Sequence, residues 1–295
     1  MTTERYVVIG LAHVRSDWFT EVARWSTSGS LPSEFVKCLS TEELRARIQS
    51  GRPFSAALLD GRLPTVDRDL LATLRDVGIP PLVVQAERST TDWDQLGAAA
   101  ALGPVLHRTE LVDALTDHAR PIGTMAHDLA DRRGSALPPA WLGRLVAVTG
   151  RNGCGASTVA VALAQALADD PRHGNEVVLA DLAHHAHHAL LHDARDVVPG
   201  VQELVEAHRN GHPTTQQVRD LLYTVPTRGY RLLLGLRRPS DWVTIRSQAF
   251  AAALASLRSA SRLVVADVDA DLEGEAATGS VDIEDRNQMA RAVAR

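Results

Sequence analysis

The sequence predicts an α/β protein with two consecutive parallel sheets, and three observations carry that prediction. Residues 1–122 alternate short apolar segments with amphipathic segments, which is the pattern of a doubly wound parallel sheet. A glycine-rich loop at 150–158 then lies between an apolar strand and an Ala/Leu-rich helix. Two further apolar strands end in Asp181 and Asp267, which places both carboxylates at the carboxyl edge of a second sheet.

Length and composition exclude several classes of protein. With 295 residues, 45% of them hydrophobic, the chain can form two domains of ordinary size. A net charge of −5 argues against a general nucleic-acid binder, and no feature indicates specific DNA recognition. The only cysteines, Cys38 and Cys154, lie far apart in the sequence, which predicts free thiols in a cytoplasmic protein. The N-terminus lacks signal-peptide features, and the apolar stretches are too short to span a bilayer, so we expect peripheral membrane contact at most.

The first domain, residues 1–122, is predicted to contain five strand–helix pairs. Helix capping is clearest near residue 41, where Ser40 or Thr41 is a good N-cap and acidic residues fill the first turn. The predicted strands are 6–11, 35–39, 55–60, 81–85 and 103–106. The predicted helices are 18–25, one that begins at 41, 66–77, 92–100 and 109–118.

Asp60, which ends the third predicted strand, resembles the phosphorylated aspartate of response-regulator receiver domains. That family also has an acidic pair that holds Mg²⁺ after the first strand, a Thr or Ser after the fourth and a Lys after the fifth. The corresponding residues here are Ala12-His13, Gln85-Ala86 and His107-Arg108. Because phosphoryl transfer needs a metal to neutralise charge, we predict a pseudo-receiver that serves docking or dimerisation. A working phosphorelay receiver is the alternative.

A break in periodicity at 123–141, with Gly-Ser and Pro-Pro dipeptides, predicts a linker. The second domain is predicted to cover 142–295. Its predicted strands are 145–149, 176–180, 230–234 and 263–267, and its predicted helices are 159–168, 201–208, 215–222, 242–257 and 285–293.

The loop from Gly150 to Thr158 has the spacing G-x-x-x-x-G-x-S, which is typical of a phosphate-binding loop between a strand and a helix. Its glycines allow backbone N–H groups to converge on an anion, and the following helix adds its positive end. Ser157 provides a hydroxyl where Mg²⁺ would bind. The position that should hold the phosphate-binding lysine is Ala156.

Taken together, the chain resembles the MinD/ParA superfamily of deviant P-loop ATPases. It is most similar to the CpaE/TadZ group, whose members also carry an N-terminal receiver-like domain. Two segments, 153–158 and 264–271, further resemble the actinobacterial septum-site-determining, CpaE-like branch. Family members continue their sheet beyond a helix like 285–293, so the resemblance implies a second domain that is incomplete or degenerate at its C-terminal end.

The resemblance assigns roles to individual residues. It implies that the loop binds ATP, with Arg151 at the position of the signature lysine, and that Ser157 and Asp267 hold Mg²⁺. Asp181 matches the catalytic acid that orders the attacking water. The implied nucleotide-binding residues are Gly150, Arg151, Asn152, Gly153, Cys154, Gly155, Ala156, Ser157 and Thr158.

The implied function is a spatial regulator in the cytoplasm. ATP would stabilise a homodimer, and the dimer would recruit partners at a pole, a cell-division septum or a Tad/pilus-type secretion apparatus. Because Ala156 removes a charge-assisted contact worth about 1 kcal/mol or more, we expect weak or absent hydrolysis and at most a slow ATPase. A nucleotide-independent pseudo-ATPase scaffold is the main alternative, a phosphorelay response regulator is another, and a metabolic P-loop kinase is disfavoured by Ala156.

A histidine-rich segment follows Asp181. Three of its residues, His184, His188 and His192, would share a face if the segment were helical, and histidines at this spacing bind zinc or nickel. The favoured interpretation is a solvated loop. Cys154 is interpreted as a small residue that fits a tight turn.

Overall fold

The computed structural model describes residues 5–122, 142–173, 176–274 and 281–295, with the side chains of 281 and 282 left out. The chain divides into two compact units, residues 1–134 and 135–295. The predicted linker at 123–141 lies outside the described residues.

The first unit contains a parallel five-stranded sheet. Its strand order is β2-β1-β3-β4-β5, the flavodoxin-like order of doubly wound folds. The strands are β1 (Tyr6–Leu11), β2 (Ser33–Cys38), β3 (Ala56–Asp60), β4 (Pro81–Val84) and β5 (Ala100–Leu102). The predicted doubly wound parallel sheet is therefore confirmed.

Each of these strands is followed by a helix. These helices are α1 (Asp17–Thr27), α2 (Thr41–Gln49), α3 (Arg68–Asp76), α4 (Trp93–Leu96) and α5 (Arg108–His118). The predicted cap of α2 is confirmed, because the Ser40 side chain accepts a hydrogen bond from the Glu43 backbone N–H. Apolar clusters cover both faces of the sheet, so the central strand β3 is buried along its whole length and carries Asp60 to its carboxyl edge.

The prediction for the fifth strand was wrong. β5 is Ala100–Leu102, whereas the sequence pattern favoured 103–106. The preceding helix ends early because Gly97 adopts a left-handed conformation, with φ 104°, directly after Leu96. The chain therefore enters the sheet several residues sooner than its apolar pattern indicates.

The second unit also contains a five-stranded sheet, in the order β6-β10-β7-β9-β8. All neighbours are parallel except β8 and β9. The strands are β6 (Arg144–Thr149), β7 (Val177–Asp181), β8 (Tyr223–Val225), β9 (Tyr230–Leu233) and β10 (Leu263–Val268). β7 and β10 occupy the interior of the sheet, and every residue in both strands is buried.

Seven helices are described in the second unit. They are α6 (Ala156–Ala168), α7 (His188–Leu191), α8 (Val201–Arg209), α9 (Thr215–Asp220), α10 (Ser247–Ser259), α11 (Val281–Arg286) and α12 (Gln288–Val293). Among the residues that the structure describes, no helix combines the length and the apolar character needed to cross a bilayer.

Three expectations for the second unit need correction. The antiparallel strand β8 was not predicted, because three residues carry little local signal and this strand forms only by pairing with β9. The predicted helix 242–257 is instead the 3₁₀ segment Pro239–Thr244 followed by α10. The predicted helix 285–293 is interrupted at Asn287, which is almost fully buried and separates α11 from α12.

Candidate functional site

The Asp60 carboxylate is almost completely enclosed, with only 1% of the residue exposed. Ser16 Oγ donates to its Oδ2 at 2.6 Å. The Arg62 guanidinium donates to both carboxylate oxygens, through Nε at 2.9 Å and Nη2 at 2.8 Å. The Arg62 backbone N–H adds a further bond to Oδ1 at 3.1 Å. Both oxygens are thus occupied by protein donors.

These contacts fix the charge of Asp60. Burial alone would raise the pKa of its carboxyl group, but the hydrogen bonds from Arg62 and Ser16 outweigh burial and lower it. Asp60 is therefore ionised, and Arg62 is its counter-charge. In the described part of the chain, no group of three acids or histidines gathers near Asp60 with metal-binding spacing. The sequence analysis did not identify Arg62 or Ser16 as partners of Asp60. An arginine two residues after the acid could have indicated such a pair.

Asp60 should therefore not accept a phosphoryl group. We expect no magnesium-dependent binding of beryllofluoride, because Arg62 and Ser16 already occupy the oxygens that a phosphoryl mimic and its metal would need. ¹⁹F NMR titration of the full chain, with a working receiver as positive control for the reagent, measures this. A saturable response that disappears in Asp60→Asn would contradict the prediction.

The glycine loop of the second unit lies where the sequence predicted, between β6 and α6. Gly153 and Gly155 have φ values of 81° and 89°, a left-handed conformation that favours glycine. Gly155 is the N-cap residue of α6. At Gly150 the loop closes tightly on itself, because an added Cβ would lie 2.4 Å from Cys154 Sγ. Cys154 is an exposed free thiol and Cys38 a buried one, as predicted.

The loop leaves the sheet beside the acidic end of β10. Thr149 and Val268 are partners in the parallel register, so Gly150 and Asp269 follow them side by side at the carboxyl edge. A cleft of about 240 Å³ opens there, lined by Gly150, Arg151, Asn152, His184, His185, Asp269, Ala270, Asp271, Arg286 and Asn287. Arg286 is a second cation near the loop that sequence reasoning did not identify.

His184 and Asp269 form an ion pair on the wall of this cleft. His184 Nδ1 lies 2.5 Å from Asp269 Oδ2, and His184 Nε2 lies 2.7 Å from the Arg286 carbonyl oxygen. An acceptor at each ring nitrogen favours the protonated form of the imidazole. The hydrogen bond that His184 donates to the Asp269 carboxylate accordingly raises the pKa of His184 despite partial burial.

A second arrangement brings Asp181 and Asp267 together. They are register partners on β7 and β10, and His188, the first residue of α7, contacts both. Its backbone N–H donates to Asp181 Oδ2 at 2.9 Å, and its Nε2 lies 2.9 Å from Asp267 Oδ2. The exposed fractions are 1% for Asp181, 0% for His188 and 4% for Asp267.

This burial overturns the interpretation of the histidine segment as a solvated loop. His184 and His188 are buried and His192 is half-buried. His184 contacts Asp269 and the Arg286 carbonyl, and His188 contacts Asp181 and Asp267. Burial raises the pKa of Asp181 to about 6, and the nearby His188 only partly offsets it. Asp181 Oδ1 and His188 Nδ1 have no hydrogen-bond partner within the described residues.

The predicted site residues thus fall into three groups. Gly150, Arg151 and Asn152 line the cleft, while Asp181 and Asp267 join His188 below the surface. The remaining loop residues lead into or begin α6, and they are Gly153, Cys154, Gly155, Ala156, Ser157 and Thr158. The roles assigned to all of these residues by resemblance stay predictions.

No protein-family model matches the chain, and neither does any curated protein. Several solved structures similar to it are receiver domains, and they cover its N-terminal part, about 40% of its length. One is the "Putative pilus assembly-related protein" from Burkholderia pseudomallei, with 17% identity over 40% of this chain and 92% of that chain, and a TM-score of 0.33.

Two further receiver structures are similar. A response regulator receiver domain protein from Clostridium thermocellum has 14% identity, covers 38% of this chain and 93% of that chain, and gives a TM-score of 0.32. The signal receiver domain of NarL from Mycobacterium tuberculosis has 24% identity over 39% of this chain and 95% of that chain, with a TM-score of 0.30. The fold of the first unit is established by its own strand order and register. The likeness of the second unit to MinD/ParA ATPases stays a prediction.

Proposed function

We propose that the chain is a cytoplasmic spatial regulator whose second unit binds ATP as an assembly switch, with slow or absent hydrolysis. The observation that carries this proposal is the glycine loop at 150–158, which joins β6 to α6 at the carboxyl edge of a parallel sheet. This is the position at which open α/β sheets bind phosphates. The loop has no lysine, so its side-chain cations are Arg151 and, across the cleft, Arg286.

The loop fits a phosphate group. A Cβ built at Gly153 or Gly155 would meet no heavy atom within 4 Å, so the space beside these residues is open. Backbone N–H groups of the loop and the first turn of α6 would hold the phosphates, and Arg151 would add charge. When bound, the nucleotide supplies the negative charge that draws these groups together. The cleft of about 240 Å³ is below the usual range of about 300–1,000 Å³ for ligand pockets, so we expect weak binding.

Mg²⁺ fits the same region less well. Mg²⁺ prefers oxygen ligands in near-octahedral geometry, and Ser157 and Asp267 were predicted to supply two. The Asp267 carboxylate, however, already receives a hydrogen bond from His188 and is 4% exposed. This competition supports slow or absent hydrolysis.

A homodimer is part of the proposal. β6 is one of the two edge strands of its sheet, and an apolar edge strand offers unpaired backbone groups to a partner. The adjoining helix α6 contains no charged residue and buries only Ala160 and Ala164, while Val159 is 57% exposed. An uncharged surface meets no like-charge repulsion from a second copy of itself. The dimer would then recruit protein partners at a pole, a septum or a pilus-type secretion apparatus, with peripheral membrane contact at most.

A nucleotide-independent scaffold is the second candidate function. It is favoured by one feature common to both units. In each, a neighbouring side chain engages a buried acid that resembles a chemically active residue of another family. Arg62 engages Asp60 and His188 engages Asp267. In a scaffold these contacts would serve stability and docking alone.

Titration of the full chain with a fluorescent ATP analogue, with and without Mg²⁺, separates the two candidates. We expect saturable binding that weakens about 10-fold or more in Gly155→Val, because a branched side chain at a left-handed position costs about 1–3 kcal/mol. Gly51→Val is the matched control, since Gly51 also has positive φ and open space around its Cβ position but lies in the first unit.

Light scattering after size-exclusion chromatography, with and without ATP, reports the dimer in the same samples. Absence of saturable binding by the wild-type chain would leave the scaffold as the function. Equal weakening by both glycine substitutions would attribute the effect to general destabilisation. Fast phosphate release would contradict the inference drawn from Ala156.

A further inference from the structure

Asp181, His188 and Asp267 form a buried polar group whose hydrogen bonds do not satisfy all of its polar atoms. The three residues come from β7, α7 and β10, so three separate segments of the chain converge on it. One potential ligand atom from each side chain lies within 4.8 Å of the other two. All three residues are at least nine-tenths buried.

The charge of this group is unbalanced. Two carboxylates face one imidazole, which can carry at most one positive charge. Asp181 Oδ1 has no hydrogen-bond partner within the described residues, although a buried polar atom without a partner is costly. A divalent cation would neutralise both carboxylates and give Asp181 Oδ1 a partner.

We propose that Asp181, His188 and Asp267 form a buried binding site for one divalent transition-metal ion. One imidazole nitrogen and two carboxylate oxygens suit Zn²⁺, Mn²⁺ or Fe²⁺. The imidazole discriminates against Mg²⁺, which prefers oxygen ligands. The two sites share Asp267 but take different ions, and the transition-metal site does not depend on ATP binding.

The spacing of the side chains allows this with small movements. Metal bonds of about 2.0–2.2 Å put ligand atoms roughly 3–4 Å apart. The His188 Nε2 to Asp267 Oδ2 distance of 2.9 Å is slightly shorter than that, and the widest pair lies within 4.8 Å. The metal takes the place of the hydrogen between His188 Nε2 and Asp267 Oδ2, and the neutral imidazole that binds it carries its hydrogen on Nδ1. Three protein ligands leave at least one coordination position for another group.

Equilibrium dialysis of the chelator-treated full chain against ZnCl₂, followed by elemental analysis, tests the proposal. We expect one Zn²⁺ ion per chain, undisturbed by a large excess of Mg²⁺. Loading with Co²⁺ should give visible d–d absorption bands that report ligation directly. Asp181→Asn and His188→Gln each remove one ligand. Loss of a residue that only hydrogen-bonds to a ligand lowers metal affinity by about 10- to 100-fold, and we expect a larger loss of Zn²⁺ affinity here.

His187→Gln is the matched control, because His187 is exposed and directly precedes His188 in the sequence. It should bind Zn²⁺ like the wild-type chain. Binding that is lost in His187→Gln but kept in His188→Gln would assign the metal to surface histidines and overturn the proposal. Absence of Zn²⁺ and Co²⁺ binding by the folded wild-type chain would also overturn it. Circular dichroism verifies folding of each variant, and Asp181→Asn keeps the test decisive if His188→Gln does not fold.

Discussion

Arg62→Met should destabilise the first unit by about 3 kcal/mol, because it leaves the buried Asp60 carboxylate without its cation. Breaking a buried ion pair typically costs about 3–5 kcal/mol of stability. The Asp60 side chain is 1% exposed, but that of Arg62 is 55% exposed, so we expect a loss at the lower end of this range. Denaturant unfolding, with hydrogen exchange of β3 to identify the unit that unfolds, measures the loss. Adding Asp60→Asn to Arg62→Met should recover part of it, since the amide removes the unpaired charge.

Arg52→Met is the matched control for this prediction. Arg52 pairs with Glu34 at 2.6 Å, but both side chains are more than 40% exposed, and exposed pairs contribute at most about 1 kcal/mol. Energies that simply add in the Asp60→Asn/Arg62→Met double variant would contradict coupling between the two residues.

The same pair sets a dependence on pH. The folded-state pKa of Asp60 lies below its ordinary value of 3.8, so its stabilising contribution is fully present above that value. The contribution is lost as the pH falls through the lowered folded-state pKa. The difference in free energy of unfolding between wild type and Arg62→Met should therefore become smaller in strong acid.

Gly235→Ala should destabilise the second unit by about 2 kcal/mol and disturb the buried Asp181 group. An added Cβ would lie 2.8 Å from the Asp181 carbonyl oxygen and 3.0 Å from its Cγ, with Ala186 Cβ at 2.5 Å. Such overpacking lowers the free energy of unfolding by about 1–3 kcal/mol. To make room for the Cβ, Asp181 would have to move away from the His188 backbone N–H. Denaturant unfolding reports the stability, and Zn²⁺ dialysis reports the site.

Gly211→Ala provides the comparison in the same unit. The nearest heavy atom to its added Cβ is the Ala207 carbonyl oxygen at 3.4 Å, an ordinary contact, so we expect stability equal to wild type or slightly higher. If Gly235→Ala were as stable as Gly211→Ala, the close approach of residue 235 to Asp181 would not matter.

Most of the fold could be predicted from local sequence patterns. Alternation of apolar and amphipathic segments predicted the parallel sheet of the first unit, and the ends of β3 and β7 at Asp60 and Asp181 were predicted correctly. The errors came where local pattern was weak. Gly97 shortened a helix that its composition favoured, and β8 exists only because β9 pairs with it.

The candidate site was predictable only in part. The glycine spacing predicted the loop, and apolar strands ending in acids predicted that Asp181 and Asp267 share one sheet edge. Burial of His188 against both acids was not predictable, because histidines at this spacing are equally compatible with a solvated loop. Arg286 joined the cleft from the far end of the chain, with no motif to indicate it.

Single positions in the sequence already show which chemical groups are present and which are missing. The sequence established the absence of a lysine at Ala156 and of an acidic pair at Ala12-His13, because these are properties of single positions. Only the tertiary structure decided what the remaining acids contact. Ser16 reaches Asp60 across 44 residues of chain, and His188 reaches Asp267 across 79. Such partners are chosen by the packing of distant segments around a sheet edge, where a buried carboxylate must take whichever donor the fold brings within hydrogen-bonding distance.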